Sequence, residues 1–113
     1  MSDCIFCKIA KGEVPSELLL EKENLVAFRD LNPQAPTHIL VIPKKHIVSL
    51  DQAEAEDRDL LGDLLLAVQE MAQRENLEMG YRVVLNIGTH GGQTVPHLHF
   101  HLLGGRSLQW PPG

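Results

Sequence analysis

The chain has 113 residues, enough for one domain over residues 1–113, and its 43% hydrophobic and 22% charged residues are typical of a globular protein. A formal charge of −5 argues against general nucleic-acid binding, which depends on basic patches, but is compatible with a single small phosphate. No apolar run reaches the about 20 residues of a membrane span, and the N-terminus lacks a secretory signal, so we expect a cytoplasmic protein with no membrane partner.

The first half of the chain predicts a short helix followed by three strands. The helix ends at Gly12, which suits a helix C-terminus. The polar pair Glu23-Asn24 predicts a hairpin turn, and two prolines mark a loop before a run rich in β-branched residues. The predicted helix covers residues 4–10, and the predicted strands cover residues 18–21, 25–30 and 37–43.

The second half predicts one long helix and two strands. Apolar residues recur at three- and four-residue steps over residues 57–76, with Asp57 as the expected N-cap. Strands are predicted over residues 81–87 and 97–103, on either side of a glycine-rich loop at residues 88–93. The predicted fold class is α+β, a five-stranded antiparallel meander with one long and one short helix on one face and the histidines of the last strand on the other.

Three histidines alternate with apolar residues in the last predicted strand, His97-Leu98-His99-Phe100-His101-Leu102-Leu103. Because side chains alternate along a strand, the three histidines should share one face. Imidazoles so placed suit chemistry on a proton, a phosphorus centre or a metal near neutral pH. One could attack phosphorus while a neighbour donates a proton, if a backbone carbonyl or a distant side chain holds the nucleophile's second nitrogen. His38 on the neighbouring strand is a candidate for the proton transfer.

Two further motifs fit this chemistry. Gly91-Gly92-Gln93-Thr94 leads directly into the histidine strand, and a glycine-rich backbone followed by a hydroxyl suits a phosphate. Cys4 and Cys7 form a C-x-x-C pair, whose spacing in a cytosolic protein indicates half a metal site or a redox pair before a structural disulfide.

Together these motifs resemble the histidine triad family, specifically its Hint branch of nucleotide phosphoramidases. The resemblance covers essentially the whole chain. Besides the histidine strand, it rests on Pro33-Gln34-Ala35-Pro36-Thr37-His38, Val41-Ile42-Pro43-Lys44-Lys45-His46, Gly80-Tyr81-Arg82, Gly91-Gly92-Gln93, Leu103-Gly104-Gly105-Arg106 and Trp110-Pro111-Pro112-Gly113.

The resemblance implies an enzyme that cleaves the phosphorus–nitrogen bond of purine nucleoside 5′-phosphoramidates of the adenosine type. It would release a nucleoside monophosphate and an amine through a covalent nucleotidyl-histidine intermediate, with no organic cofactor. His99 would be the nucleophile, His101 would contact the α-phosphate and the leaving group, and His38 would belong to the proton relay. The resemblance also implies a homodimer whose sheets join across a twofold axis.

The same resemblance assigns substrate-binding residues. Asp30 would accept the ribose hydroxyls, and Trp110 in the C-terminal tail would reach toward the partner's active site. The phosphate pocket would be lined by Asn86, Gly92, Gln93 and Thr94, where threonine replaces the usual serine. The apolar slot for the purine would be formed by Phe6, Ile9, Phe28 and Leu31.

Similar bacterial members use the C-x-x-C pair for zinc, which implies a site formed by Cys4, Cys7, His46 and His97. Two thiolates and two imidazoles make a closed tetrahedral site, so this zinc would be structural rather than catalytic. A reduced, metal-free cysteine pair and a thioredoxin-like redox pair are the alternatives, and the redox pair is disfavoured because no βαβ unit surrounds the cysteines.

Two other functions stay open at this point. Two histidines two residues apart, with a third elsewhere, could hold a catalytic zinc, although no acidic residue near the histidine strand is in position to act as general base. A nucleotide-binding or scaffold protein with a vestigial site would keep the same pocket, and the sequence does not distinguish it from an enzyme.

Overall fold

The computed structural model describes residues 4–113 and contains a five-stranded antiparallel sheet with one long and one short helix, which confirms the predicted fold class. Two short 3-10 turns, Leu50–Gln52 and Ala55–Asp57, precede the long helix. No helix in this part of the chain is long and apolar enough to cross a membrane. In chain order the elements are α1 (Ile5–Ala10), β1 (Leu18–Glu21), β2 (Leu25–Arg29), β3 (Thr37–Pro43), α2 (Arg58–Arg74), β4 (Tyr81–Leu85) and β5 (Phe100–Gly104).

The strand order is β1-β2-β3-β5-β4, so the sheet departs from a simple meander in its last two strands. β5 lies between β3 and β4, and its Leu102 pairs with Ile39 on one side and Val83 on the other. In the same register, His101 of β5 is opposite Leu40 of β3. The central position of β5 therefore brings its histidine next to the strand that carries His38.

Two apolar clusters cover the two faces of the sheet, which corrects the prediction that both helices share one face. β3 is buried along its whole length, and successive residues belong to different clusters. On one face α2 packs against β3 and β5, through a cluster that includes Leu64, Val68, Met71, Ile39, Val41 and Leu102. On the other face α1 completes a cluster that includes Phe6, Ile9, Phe28, Leu40 and Ile42. The short helix thus covers the face that also carries His38.

The histidine segment is a strand only in part. β5 begins at Phe100, so His97 and His99 precede the regular strand, and the three rings do not form one row. The ring centroids of His99 and His101 are 4.9 Å apart, whereas the ring of His97 lies edge-on to that of His46 at 5.0 Å. The segment therefore divides its histidines between two clusters.

The start of α2 also differs from the prediction. The helix begins at Arg58, so Asp57 is at the N-cap position as predicted. Its carboxylate, however, accepts the amide N–H of Glu54 at 2.9 Å and belongs to the capping box of the preceding 3-10 turn. The same carboxylate accepts a hydrogen bond from Lys45 at 2.6 Å, which ties the residue before His46 to this turn.

Candidate active site and metal centre

His38 and His101 form a directly hydrogen-bonded pair across β3 and β5. Nε2 of His38 lies 2.9 Å from Nδ1 of His101, and the amide N–H of Gln34 donates to Nδ1 of His38 at 3.0 Å. A backbone amide can only donate, so we assign the His38 proton to Nε2, where it is donated to His101. That arrangement leaves the ring proton of His101 on Nε2.

His101 Nε2 is the distal end of this chain of hydrogen bonds. It is buried, and it has no hydrogen-bond partner among residues 4–113. Leaving a buried donor unpaired costs free energy, and the few such groups in native proteins call for an explanation such as a catalytic role or a bound molecule. Its position therefore indicates a donor that is directed at a ligand.

His99 has its proton on the opposite nitrogen. Its Nδ1–H donates to the backbone carbonyl of His97 at 2.7 Å, so Nε2 keeps a free lone pair. A backbone carbonyl on the second ring nitrogen is one of the two contacts that the sequence predicts for an attacking imidazole. The ring of His99 is buried and packs edge-on against Phe6, with centroids 5.1 Å apart. Packing and the hydrogen bond together fix the orientation of the lone pair.

Asp30 joins this cluster from the end of β2. Its Oδ2 lies 3.4 Å from Nε2 of His38, and its Oδ1 accepts the amide N–H of Asn32 at 2.8 Å. The objection that no acidic residue is near the histidines is therefore wrong in three dimensions, because the sheet brings in a carboxylate that is distant in sequence. Ligand atoms of Asp30, His38 and His101 all lie within 4.8 Å of one another, a spacing that could also hold a cation.

Burial sets the protonation of the pair. Burial, followed by the neighbouring His99 and His38, lowers the pKa of His101 to about 4, while Asp30 opposes this shift. Burial also lowers the pKa of His38, again partly offset by Asp30. Both rings are therefore neutral near neutral pH, and an anion bound beside them would raise their proton affinity.

The predicted phosphate-pocket residues lie on the loop before the histidine segment. Gln93 uses its amide to hold the loop in place, since Nε2 donates to the carbonyl of Val48 in the segment after β3 at 2.7 Å and to that of Val95 at 3.0 Å. Asn86 Nδ2 is 3.5 Å from the carbonyl of Gly92, whose φ of 85° suits glycine. Thr94 is exposed. Gln93 therefore holds the loop, and Gly92 and Thr94 remain at its surface.

Three of the four predicted purine-slot residues share one cavity. Ile9, Phe28 and Leu31 line a space of about 390 Å³ between α1 and β2. Phe6 does not line it and instead contacts Phe28 and His99 edge-on, at 5.6 and 5.1 Å between ring centroids. The sequence prediction missed the lining residues Ile5, Val14, Pro15, Ser16, Glu17 and Arg29. The apolar pair Val14-Pro15 in an otherwise polar connection was the signal that could have revealed this wall of the cavity.

The C-terminal tail stays at the surface of the single chain. Arg82 on β4 donates to the carbonyl of Gln109 at 2.8 Å, while the side chain of Trp110 is largely exposed. The ring contacts found within residues 4–113 do not include Trp110, so the structure does not bring it to the histidine cluster.

The second cluster contains the four predicted metal ligands. Nδ1 of His97 lies 3.4 Å from Sγ of Cys4, 3.5 Å from Sγ of Cys7 and 3.2 Å from Nδ1 of His46. Sγ of Cys7 is 3.1 Å from Nδ1 of His46. Tetrahedral zinc with ordinary Zn–N and Zn–S bonds separates its ligand atoms by about 3.3–3.8 Å, so the arrangement is compatible with zinc.

The ring of His97 is oriented for this role. Its Nε2–H donates to the carbonyl of Pro43 at 2.8 Å, which leaves Nδ1 without a proton and directed at the sulfur atoms. A hydrogen bond from the second ring nitrogen is usual for histidine ligands, because it fixes the tautomer. Cys7 lies in α1 and Cys4 is the residue just before it, so the position of α1 on the histidine face explains how both cysteines reach His97.

Comparison with known proteins agrees with these features. The family model described as scavenger mRNA decapping enzyme, C-terminal binding, matches residues 3–109. A HIT-like protein of Synechococcus elongatus is 58% identical over 111 residues, which are 98% of this chain and 97% of that protein. The 14 kDa zinc-binding protein of Zea mays is 54% identical over 114 residues, which are 99% of this chain and 89% of that protein.

The solved structures that resemble this chain include HIT family proteins as well. The crystal structure of a HIT family hydrolase from Legionella pneumophila matches with a TM-score of 0.96 at 53% identity, covering 98% of this chain and 100% of that one. The fold and the two clusters define a small α+β protein with a buried histidine site at the centre of its sheet. The chain belongs to the histidine triad family and is similar to its hydrolases, which confirms the resemblance found in the motifs.

Proposed function

We propose that this protein hydrolyses the phosphorus–nitrogen bond of purine nucleoside 5′-phosphoramidates of the adenosine type, releasing a nucleoside monophosphate and an amine. The observation that supports it most directly is the hydrogen bond from Nδ1 of His99 to the carbonyl of His97, at 2.7 Å. It leaves a lone pair on Nε2, and a neutral imidazole with a free nitrogen is a suitable nucleophile toward phosphorus.

In this proposal His38 and His101 supply and recover the proton. Nε2 of His101 has no partner within residues 4–113, and its Nδ1 receives the proton of His38 across 2.9 Å. An anionic phosphate beside His101 would raise its pKa from about 4, so that substrate binding favours a protonated pair. Asp30, at 3.4 Å from His38, would stabilise the positive charge of that pair.

The reaction would proceed by two displacements. First the Nε2 lone pair of His99 forms a bond to phosphorus, the phosphorus–nitrogen bond breaks, and the leaving nitrogen keeps the electron pair and takes a proton from His101. Then water attacks phosphorus, the bond to His99 breaks with its electron pair returning to Nε2, and one water proton returns to the His38–His101 pair. Each cycle consumes one water, and protonation makes the amine a good leaving group.

The substrate would be bound on the same face of the sheet. Asp30, whose side chain remains 22% exposed, would accept the ribose hydroxyls. The cavity between α1 and β2 would take the purine, with Ile9, Phe28 and Leu31 as its apolar walls and Phe6 supporting Phe28. The phosphate would be bound by the loop that carries Asn86, Gly92, Gln93 and Thr94, in which Gln93 acts by holding the backbone.

Zinc and a second subunit complete the proposal. Zinc held by Cys4, Cys7, His46 and His97 would join α1 to the start of the histidine segment and would serve structure rather than reaction. β4 is an edge strand with Tyr81 and Val83 exposed, so the sheet could continue into a second copy across a twofold axis. Trp110 would then reach toward the partner's active site.

The test is hydrolysis of adenosine 5′-phosphoramidate by the wild-type protein and by His99→Ala, each with and without EDTA. His90→Ala is the matched control, because His90 is an exposed histidine on the loop before the site. We expect turnover by the wild type and by His90→Ala with EDTA present, and none by His99→Ala. Rapid quenching should also yield an adenylyl group on the peptide that contains His99.

Two outcomes would contradict the proposal. Turnover that is lost to EDTA and restored by zinc, with the fold intact, would indicate a metal hydrolase, for which Asp30, His38 and His101 provide a set of ligand atoms. Absence of turnover in every sample, with nucleotide still binding, would indicate a nucleotide-binding or scaffold protein.

A further inference from the structure

The turn that follows β5 rests on the loop that precedes β3. Arg106 donates through Nη2 to the carbonyl oxygen of Gln34 at 3.0 Å, across 72 residues of sequence. Beside it, Gly105 has a φ of 91°, and a Cβ added there would lie 2.8 Å from Cβ of Pro36. Only glycine fits this contact without displacing the loop. The turn and the loop therefore have a fixed relative position.

Arg106 holds the peptide of Gln34, the residue whose amide contact decides the tautomer of His38. Arg106 binds the carbonyl of Gln34, and the amide N–H of the same residue donates to Nδ1 of His38 at 3.0 Å. With that contact in place, the proton of His38 is on Nε2 and is directed at His101. Without it, His38 could place its proton on Nδ1 and would then offer His101 no proton.

We propose that Arg106 is a positioning residue for the reaction, which acts by holding the Gln34 peptide and thereby keeping His38 in the tautomer that donates to His101. This inference rests on the proposed function, because it assigns Arg106 a role in the proton transfer of that same site. Arg106 does not touch the His38–His101 pair itself; its influence passes through one residue of backbone.

The surroundings of Arg106 argue against a role that is only structural. The residue is exposed, and its hydrogen bonds within residues 4–113 go to two backbone carbonyls, those of Gln34 and Ser107. Truncation of an exposed side chain outside the core usually changes stability little. A large effect on the reaction with a small effect on unfolding is therefore the signature to look for.

The experiment compares the full-length wild type with Arg106→Ala and Arg106→Lys. Arg74→Ala is the matched control, because Arg74 also donates from an exposed guanidinium to a backbone carbonyl, that of Leu19 at 3.1 Å, on the α2 side of the sheet. The readouts are kcat and KM for adenosine 5′-phosphoramidate and the ¹⁵N chemical shifts of the His38 and His101 rings, which report the tautomers without any turnover.

We expect Arg106→Ala to lower kcat by roughly 10- to 100-fold with little change in KM, since loosened positioning costs rate rather than ground-state binding. The His38 signals should change from the Nε2–H tautomer to a mixture. Arg106→Lys keeps a cationic N–H donor group and should recover most of the lost kcat, and Arg74→Ala should match the wild type in both readouts.

The proposal is overturned if Arg106→Ala leaves the His38 tautomer and kcat unchanged. It is also overturned if Arg106→Lys and Arg106→Ala have the same kcat and the same His38 tautomer. Failure of the proposed function has a different signature, since His99→Ala would then retain the activity of the wild type or no sample would show turnover. In that case the ring-nitrogen signals still decide whether Arg106 controls the tautomer of His38, while its role in the reaction fails together with the proposed function. If Arg106→Ala does not fold, Arg106→Met, which also lacks an N–H donor, replaces it in the comparison with Arg106→Lys.

Discussion

Nδ1 of His99 lies 2.7 Å from the carbonyl oxygen of His97, and this hydrogen bond joins the histidine site to the cluster of Cys4, Cys7, His46 and His97. The ring of His97 is held on both sides, by the carbonyl of Pro43 at 2.8 Å from Nε2 and by the sulfur of Cys4 at 3.4 Å from Nδ1. The carbonyl that fixes the tautomer of His99 belongs to His97. Its position therefore depends on the contacts that hold the ring of His97.

This relationship predicts a modest effect of metal on the reaction. Replacing Cys4 and Cys7 together by serine should lower kcat for adenosine 5′-phosphoramidate by less than about tenfold, because the change loosens a contact that supports His99 and leaves the ring of His99 itself in place. The measurement is steady-state hydrolysis by the wild type and by the double variant, both without added metal and after addition of zinc. Complete loss of activity in a folded double variant would mean that metal takes part in the chemistry.

The same cluster predicts a larger effect on stability. Zinc that binds only the folded protein, at 100 times its dissociation constant, adds about 2.7 kcal/mol, which corresponds to about 10 °C in the unfolding midpoint of a domain this size. We expect excess EDTA to lower the unfolding midpoint of the wild type by about 10 °C, measured by thermal unfolding in zinc at about 100 times its dissociation constant, with and without the chelator. The Cys4→Ser, Cys7→Ser variant should not respond to EDTA, and an equal response of both proteins would place the metal elsewhere.

The sequence predicted those parts of the fold that depend on local periodicity. The α2 helix and strands β1 to β4 lie where apolar spacing placed them, within a few residues at each end. The position of α1 on the histidine face was not predictable in this way, because a six-residue helix has too few apolar positions to select a face. Its position is decided by the packing of Phe6 and Ile9 in the cluster that contains Phe28 and Leu40.

The candidate site shows the same limit. Alternation along the chain identified His97, His99 and His101, but it placed them in one row, since it could not show that regular strand begins only at Phe100. The family resemblance pointed to Asp30 as an expected ribose ligand, whereas its approach to His38 depends on the neighbouring registers of β2 and β3. Contacts between strands join residues that are far apart in the chain, so one sequence without related sequences beside it gives no direct signal for them.

The buried stripe of α2 predicts a contrast between two leucines. Leu64 is completely buried in the cluster between α2 and the sheet, whereas Leu31 is fully exposed at the rim of the cavity. Leu64→Ala should lower the free energy of unfolding by about 2–5 kcal/mol through lost burial and a residual cavity. Leu31→Ala should change it by less than about 0.5 kcal/mol. Urea unfolding of both variants checks this, and equal losses would be inconsistent with the packing described.

His101 predicts a dependence of stability on pH. Its pKa is lowered to about 4 in the folded protein, mainly by burial and then by His99 and His38, with Asp30 opposing. In the unfolded chain it is near the ordinary value of about 6.5, so between these two pH values the unfolded state binds more protons. Stability from this group is therefore fully present above pH 6.5, is lost as pH falls toward 4, and amounts to at most about 3 kcal/mol.

The measurement is the free energy of urea unfolding of the wild type and of His101→Asn at intervals from pH 7.5 to pH 4. His38 and His97 also have pKa values lowered by burial, so both proteins should lose stability on acidification. The wild type should lose more stability, because only it contains the titrating ring at position 101. Loss of any bound metal at low pH would affect both proteins alike, since His101 is outside the cluster of Cys4, Cys7, His46 and His97. Parallel curves for the two proteins would show that the ring of His101 is not kept neutral by the fold.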